Sequence, residues 1–161
     1  MGSYGICRLD LMKGHARGYD FDTDIENGLL AEITHSTDHI AVTTAIASPQ
    51  VLVASVCNLY DSVDESDFIN DASSGMKART FELEIGDVFT TTQFSTATGD
   101  HTTIATIVAG DYAVPVVGGK FGCYTTTSGT SAALECRVIS TTTLNTKNAI
   151  QLRVVKNRLY S

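Results

Sequence analysis

The sequence predicts an all-β fold, and three observations carry that prediction. Threonine supplies about one in seven of the 161 residues, and a β-branched side chain suits a pleated strand better than a helix. Residues 79–85 alternate strictly, with Phe81, Leu83 and Ile85 set against Thr80, Glu82 and Glu84, the two-residue period of a strand with one wet face. Turn signals recur every eight to thirteen residues, at Gly86-Asp87, Gly99-Asp100, Gly110-Asp111 and Gly118-Gly119, a spacing that suits a barrel or sandwich. With 43% hydrophobic residues, 18% charged residues and two prolines, the chain reads as a single compact β-barrel, β-tulip or sandwich-like domain. Collagen, heptad coiled coil and low-complexity disorder are excluded.

The elements follow in order. Residues 1–27 hold Gly2, Gly5, Gly14 and Gly18, one alternating patch over 6–12 and a polar run ending in Asp20-Phe21-Asp22-Thr23-Asp24; they predict an extended N-terminal arm carrying one strand, ahead of a β-rich domain over 28–161. Strands are expected at 29–34, 40–46 and 50–58, the last two separated by Ser48-Pro49-Gln50. In the third, Val51, Val53, Ser55 and Cys57 face one way and Leu52, Ala54 and Val56 the other. Both faces are apolar, so this strand is expected to be buried on both sides. Residues 60–78 are acidic and rich in Ser and Asn, and Ser62 with Glu65 forms a capping-box pattern; at most one short helix is expected, near residues 62–70. The remaining strands are expected at 79–85, 88–94, 102–108, 112–117, 121–127, 132–140 and 149–156. The threonine triplets at 90–92, 125–127 and 141–143 are unequally spaced and read as solvated strand faces and ends rather than as a repeat.

A formal charge of −7 argues against a nucleic-acid binder, which needs a concentrated basic face. The distribution says more. Residues 1–17 carry +2 and residues 112–161 carry +5, leaving −14 between them, as expected of a protein whose basic termini meet an acidic partner. The uncharged run over 40–60 has the length of a membrane span, but Thr43, Thr44, Ser48, Pro49, Gln50, Ser55 and Asn58 make it too polar, so no membrane contact is expected. No secretory signal pattern opens the sequence. Cys7, Cys57, Cys123 and Cys136 form no Cys-x-x-Cys pair, and reduced, mostly buried thiols made in a cytoplasm are expected.

The chemical motifs are weak. Asp20, Asp22, Asp24 and Glu26 alternate like the start of an EF-hand loop, but Ile25 stands where the turn needs Gly and Ala31 where the loop ends in Glu. Asp20, Asp22 and Asp24 are thus a weak metal candidate against a plain solvated acidic segment. His35 and His39 flank a turn and are poorly placed to share a zinc ion. Ser128 beside Gly129, Cys123 beside Tyr124, and His101 are unpaired fragments of nucleophilic machinery. Gly118-Gly119-Lys120 lacks the rest of a phosphate loop, and Glu82 with Glu84 reads as a wet strand face rather than a glycosidase pair. No catalytic residue and no cofactor is expected, and the chain reads as non-enzymatic.

The segment Lys77-Ala-Arg-Thr-Phe-Glu-Leu-Glu-Ile-Gly-Asp-Val-Phe-Thr-Thr-Thr, with Glu26-Asn-Gly-Leu-Leu-Ala-Glu-Ile before it and Ala149-Ile-Gln-Leu-Arg-Val-Val-Lys-Asn at the end, resembles small head proteins of tailed bacteriophages that decorate or cement the capsid. The resemblance implies a homotrimer on the outside of the virion. There it would bind the major capsid protein of the expanded lattice and stabilise the head by bridging capsomers. It also implies that the arm takes part in docking, with Arg8, Lys13 and Arg17 facing acidic capsid surface. A tail-tube or fibre-associated virion protein and a carbohydrate-binding β module are the alternatives.

Overall fold

The strand-forming residues sort into two sheets, one closed and one open. The computed structural model describes residues 4–56, 68–126 and 132–158; the Ser62–Glu65 capping pattern, Cys57, Ser128 and Gly129 lie outside them. Strand β1 (Cys7–Leu11) belongs to the open sheet. Strands β2 (Ala16–Phe21), β3 (Leu30–Thr34), β4 (His39–Val42), β5 (Gln50–Val53) and β6 (Ala78–Phe81) then close into a small barrel in the order β2-β4-β3-β5-β6. The chain returns to the open sheet with β7 (Val88–Thr91), β8 (Phe94–Gly99), β9 (Tyr112–Pro115), β10 (Phe121–Tyr124), β11 (Leu134–Leu144) and β12 (Lys147–Asn157). Its seven strands run β1-β7-β12-β11-β9-β10-β8, antiparallel except for the β10–β8 pair. Among the described residues no helix is long and apolar enough to cross a membrane; helical geometry appears as 3-10 turns at Ala72–Ser74 and Ile104–Thr106.

The two-residue period of the strands explains how barrel and sheet share one body. Alternate side chains of the barrel wall point inward, where Tyr19, Phe21, Ile25, Leu29, Ala31, Ile40, Val51, Val53 and Ala78 form a core. Their neighbours Leu30, Leu52, Ala54 and Phe81 point outward and pack with Phe89, Phe121, Leu134, Val138, Ile150, Leu152 and Val154 from the inner face of the open sheet. The expectation of a strand buried on both faces is met over residues 50–54: Val51 and Val53 fill the barrel, Leu52 and Ala54 face the sheet, and all four are at most 3% exposed. It fails beyond them, because β5 ends at Val53 and Val56, expected on a buried face, is 56% exposed. Burying each large side chain on this wall contributes about 1.5–3 kcal/mol.

Several boundaries differ from the sequence expectation. The segment read as an arm carries two strands, not one, and is woven into both sheets: β1 pairs with β7, while β2 pairs with β4 and β6. Gly18 and the charges of Ala16–Phe21 mask an alternation whose inward members, Tyr19 and Phe21, are buried. Residues 68–70, the described part of the expected helical stretch, contain no helix; Asn70 instead bridges to Ile25. Residues 102–108 form a loop around a 3-10 turn, since Ile104 and Ile107, three apart, both anchor it on the core. The ladder of β6 stops at Phe81; Leu83 remains buried, but Ile85 enters the next turn and is 68% exposed.

Candidate functional site

Most of the buried polar side chains are spent on the backbone. Two Gly-Asp turns show this in nearly identical form. In the first, Gly86 N donates to Val154 O (2.8 Å), Val154 N to Asp87 O (2.9 Å), and the Asp87 carboxylate accepts Glu84 N (2.9 Å). In the second, Gly110 N donates to Val138 O (2.8 Å), Val138 N to Asp111 O (2.8 Å), and the Asp111 carboxylate accepts Val108 N (2.8 Å). Gly86 and Gly110 have φ of 97° and 95°, a left-handed conformation that favours glycine. The two turns sit on β12 and β11, which pair through Arg137 opposite Arg153. The matching runs Cys136-Arg-Val and Leu152-Arg-Val thus lie about a local two-fold.

The remaining acceptors are used differently. Asp87 also receives Lys13 N (2.7 Å) and Gly14 N (3.2 Å), whereas Asp111 receives His101, whose Nε2 lies 3.0 Å from Oδ2 without good hydrogen-bond geometry. His101 Nδ1 meets Thr106 Oγ1 at 3.2 Å. This histidine and carboxylate, 7% and 6% exposed, form a buried strut across the 100–111 loop. Elsewhere Glu26 accepts Gly5 N and Gln93 Nε2, both at 2.6 Å, and Asn27 closes a two-way bond with the backbone of Ser55.

The acidic metal candidate is not assembled. Asp20 binds Lys77 Nζ at 2.9 Å, and that hydrogen bond holds its carboxyl below the usual carboxylate range. Asp22 lies 3.6 Å from His39 Nε2, and Asp24 accepts Ala72 N at 2.9 Å. Among the described residues no three His, Cys, Asp or Glu side chains converge as metal ligands. His35 is exposed on the β3–β4 turn, and His39 turns Nδ1 to Thr37 O.

Cys123 and Cys136 are free thiols. Cys123 and Cys136 both stand in register with Ala113, on either side of β9. They are two strand spacings apart, about 9.5 Å, beyond the reach of a disulfide. Burial, reinforced by the Asp111 charge, pushes the Cys123 thiol up to about 12, and burial raises Cys136 as well, so neither is an activated nucleophile. A cleft of about 460 Å³ beside the barrel is lined by Phe21, Val56, Phe68, Ile69 and Met76, with Lys77 and Arg79 on its polar side. It contains none of these histidines or cysteines.

The cations divide by sheet. Arg17 pairs with Asp38 at 2.9 Å and lies over Tyr19, and Lys77 pairs with Asp20; these barrel cations are neutralised. Arg8 and Lys13 are exposed on β1 and just after it, and Arg153 is exposed on the outer face of β12. No carboxylate of the described residues lies within ion-pair distance of Lys13, Arg153 or Lys156. Of the three expected docking residues, the structure therefore places Arg8 and Lys13 at the open sheet and Arg17 in the barrel. Arg153 and Lys156 were signalled in the sequence by the basic C-terminal segment, but which strand face they occupy follows from the pairing.

Comparison of the chain with protein-family models, with curated proteins and with solved structures finds no match.

Proposed function

We propose that the chain is a non-enzymatic structural protein of a tailed-bacteriophage virion that binds the outside of the expanded capsid and stabilises it. The observation that carries this reading is the separation of charge between the two sheets. Among the described residues, the span 16–81, which builds the barrel, holds Arg17, Lys77 and Arg79 against seven Asp and Glu residues, while the open sheet gathers the basic segments from both chain ends. A body with one acidic lobe and one cationic face is suited to an oriented contact with an acidic surface. The side chains of Asp87, Asp111, Glu26 and Asn27 serve the fold by accepting backbone amides.

Stabilisation then needs no reaction. A protein that prefers the assembled, expanded lattice shifts the equilibrium toward it by mass action, and many weak copies act together. Strand β1 is already paired with β7 along one edge, so in this reading it works as part of a preformed face rather than as a loose strand donor. Co-sedimentation of the full chain with undecorated heads tests the proposal. Saturable binding to expanded heads and not to unexpanded ones is expected; binding to neither would overturn it.

A further inference from the structure

Docking by charge requires cations that the protein has not already neutralised, and docking by contact requires apolar groups left in water. Building on the capsid-binding reading, we infer that both meet at the Gly86–Asp87 corner of the open sheet. Its partner is a protein surface whose carboxylates surround an apolar centre.

Three exposed apolar side chains gather there. Ile85, 68% exposed, is in the turn itself; Leu11, 56% exposed, stands opposite Val88 where the turn enters β7; Val155, 36% exposed, follows Val154, whose amide and carbonyl hold the turn. Clustered apolar groups on an otherwise polar surface mark contact sites. Cations frame them. Lys13 has its amide on the Asp87 carboxylate, Arg153 stands opposite Val88 in the β12–β7 ladder, and Lys156 lies one residue beyond Val155. Three carboxylates share this surface: Glu84 in the turn, Glu135 opposite Lys156, and Asp10 beside Leu11, which accepts Thr90 Oγ1 and Gln151 Nε2; none lies within ion-pair distance of these cations.

The equivalent corner at Gly110–Asp111 shows why the first one is selected. It too exposes an apolar residue, Val108 at 56%. Its arginine, however, is committed: Arg137 Nη1 donates to Gly110 O at 2.6 Å, and the guanidinium lies 3.6 Å over the Tyr112 ring and bonds its hydroxyl. The first corner is also rigid, because Asp87 is 0% exposed and fixes three amides. Little ordering remains to oppose binding.

Binding of full-length variants to expanded heads, at low and at high salt, tests the assignment. Arg153→Glu is expected to weaken binding about tenfold at low salt and to flatten its salt dependence. Ile85→Ser is expected to weaken binding at both salt concentrations, and Lys120→Glu, a cation reversal in the β9–β10 turn, is expected to bind like the native chain. All three side chains are exposed, and unchanged thermal unfolding shows that each variant is folded; Lys13→Glu supplies a second reversal at the corner. If the native chain binds but Arg153→Glu, Lys13→Glu and Ile85→Ser bind equally well, the corner is not the contact and the capsid-binding reading stands. If the native chain itself binds no head, that reading falls and the assignment falls with it.

Discussion

Replacing Asp87 by alanine should cost more stability than almost any surface change, and the cost can be worked from its three bonds. The carboxylate is buried and accepts Lys13 N at 2.7 Å, Glu84 N at 2.9 Å and Gly14 N at 3.2 Å. A hydrogen bond to a charged group contributes about 1.5–3 kcal/mol net, and a buried donor left without an acceptor loses its solvation as well. If water reaches one of the three amides after truncation, two remain orphaned and the expected loss is about 3–5 kcal/mol. That is a large part of the roughly 5–15 kcal/mol that holds a domain folded. Asp87→Asn keeps one acceptor oxygen but turns an amino group toward amide donors, and should lose about 2 kcal/mol. Urea titration followed by far-ultraviolet circular dichroism measures both variants, with an unchanged m value expected. A loss below about 1 kcal/mol for Asp87→Ala would refute the reasoning, because it would mean that the 13–14 and 84–87 segments are not held by this residue.

Three further outcomes follow from the same structure. Gly86→Ala should cost about 1 kcal/mol, the strain of a left-handed residue with open space around its Cβ, whereas Gly119→Ala should cost more. There φ is 79° and an added Cβ would meet Leu30 O at 2.5 Å; equal melting temperatures for the two variants would count against this. Stability should fall as pH rises above 9, because the unfolded Cys123 thiol ionises near its ordinary value of 9.0 and the folded one only at about 12. By pH 10 the loss is about 1.4 kcal/mol from this group, and Cys123→Ala should abolish that part of the alkaline slope. Deleting residues 1–27 should leave no folded protein by circular dichroism, since it removes β1, opens the barrel at β2 and takes away the fully buried Tyr19 and Ile25; a folded, soluble truncation would show that the segment is an appendage.

What the sequence revealed was what a single strand records in its own alternation. Residues 50–54 announced a strand buried on both faces, although the apolar pattern runs on to Val56, which is exposed, and the Gly-Asp pairs announced turns because glycine supplies the positive φ. What stayed hidden depended on partners distant in sequence. Nothing local distinguishes the buried Asp87 from the exposed Asp100; the difference is that Asp87 meets the amides of residues 13 and 14. His101 and Asp111 look unrelated in the sequence and become a buried pair only because β8 and β9 flank β10. Ile85 misled for the opposite reason: its alternation with Leu83 continues past the point where the ladder ends, so a core position by pattern is an exposed one in space. The basic charge of the two chain ends was legible in the sequence, but not that Arg17 would be spent on Asp38 and Arg153 left without an ion pair among the described residues.

The topology turns a sequence pattern of charge into a spatial one. The barrel is built from one contiguous acidic span, 16–81, whereas the open sheet takes β1 from the N-terminal end and β11 and β12 from the C-terminal end. Pairing β7 with both β1 and β12 is the step that brings the two basic ends together. Had β1 remained a free arm, Lys13 would sample a wide volume and its attraction to an acidic partner would carry an ordering cost. Fixed by Asp87 beside Arg153 and Ile85, it belongs to a face whose geometry exists before the encounter. In the proposed contact the acidic barrel has a second effect: an acidic partner surface would repel it and disfavour approach from the wrong side, so the same charge separation that attracts one face would also orient the molecule. Orientation of this kind is screened within about 8–10 Å at ordinary ionic strength, so it would govern the last stage of approach, and under the proposal the apolar groups at the corner supply what remains of the affinity at high salt.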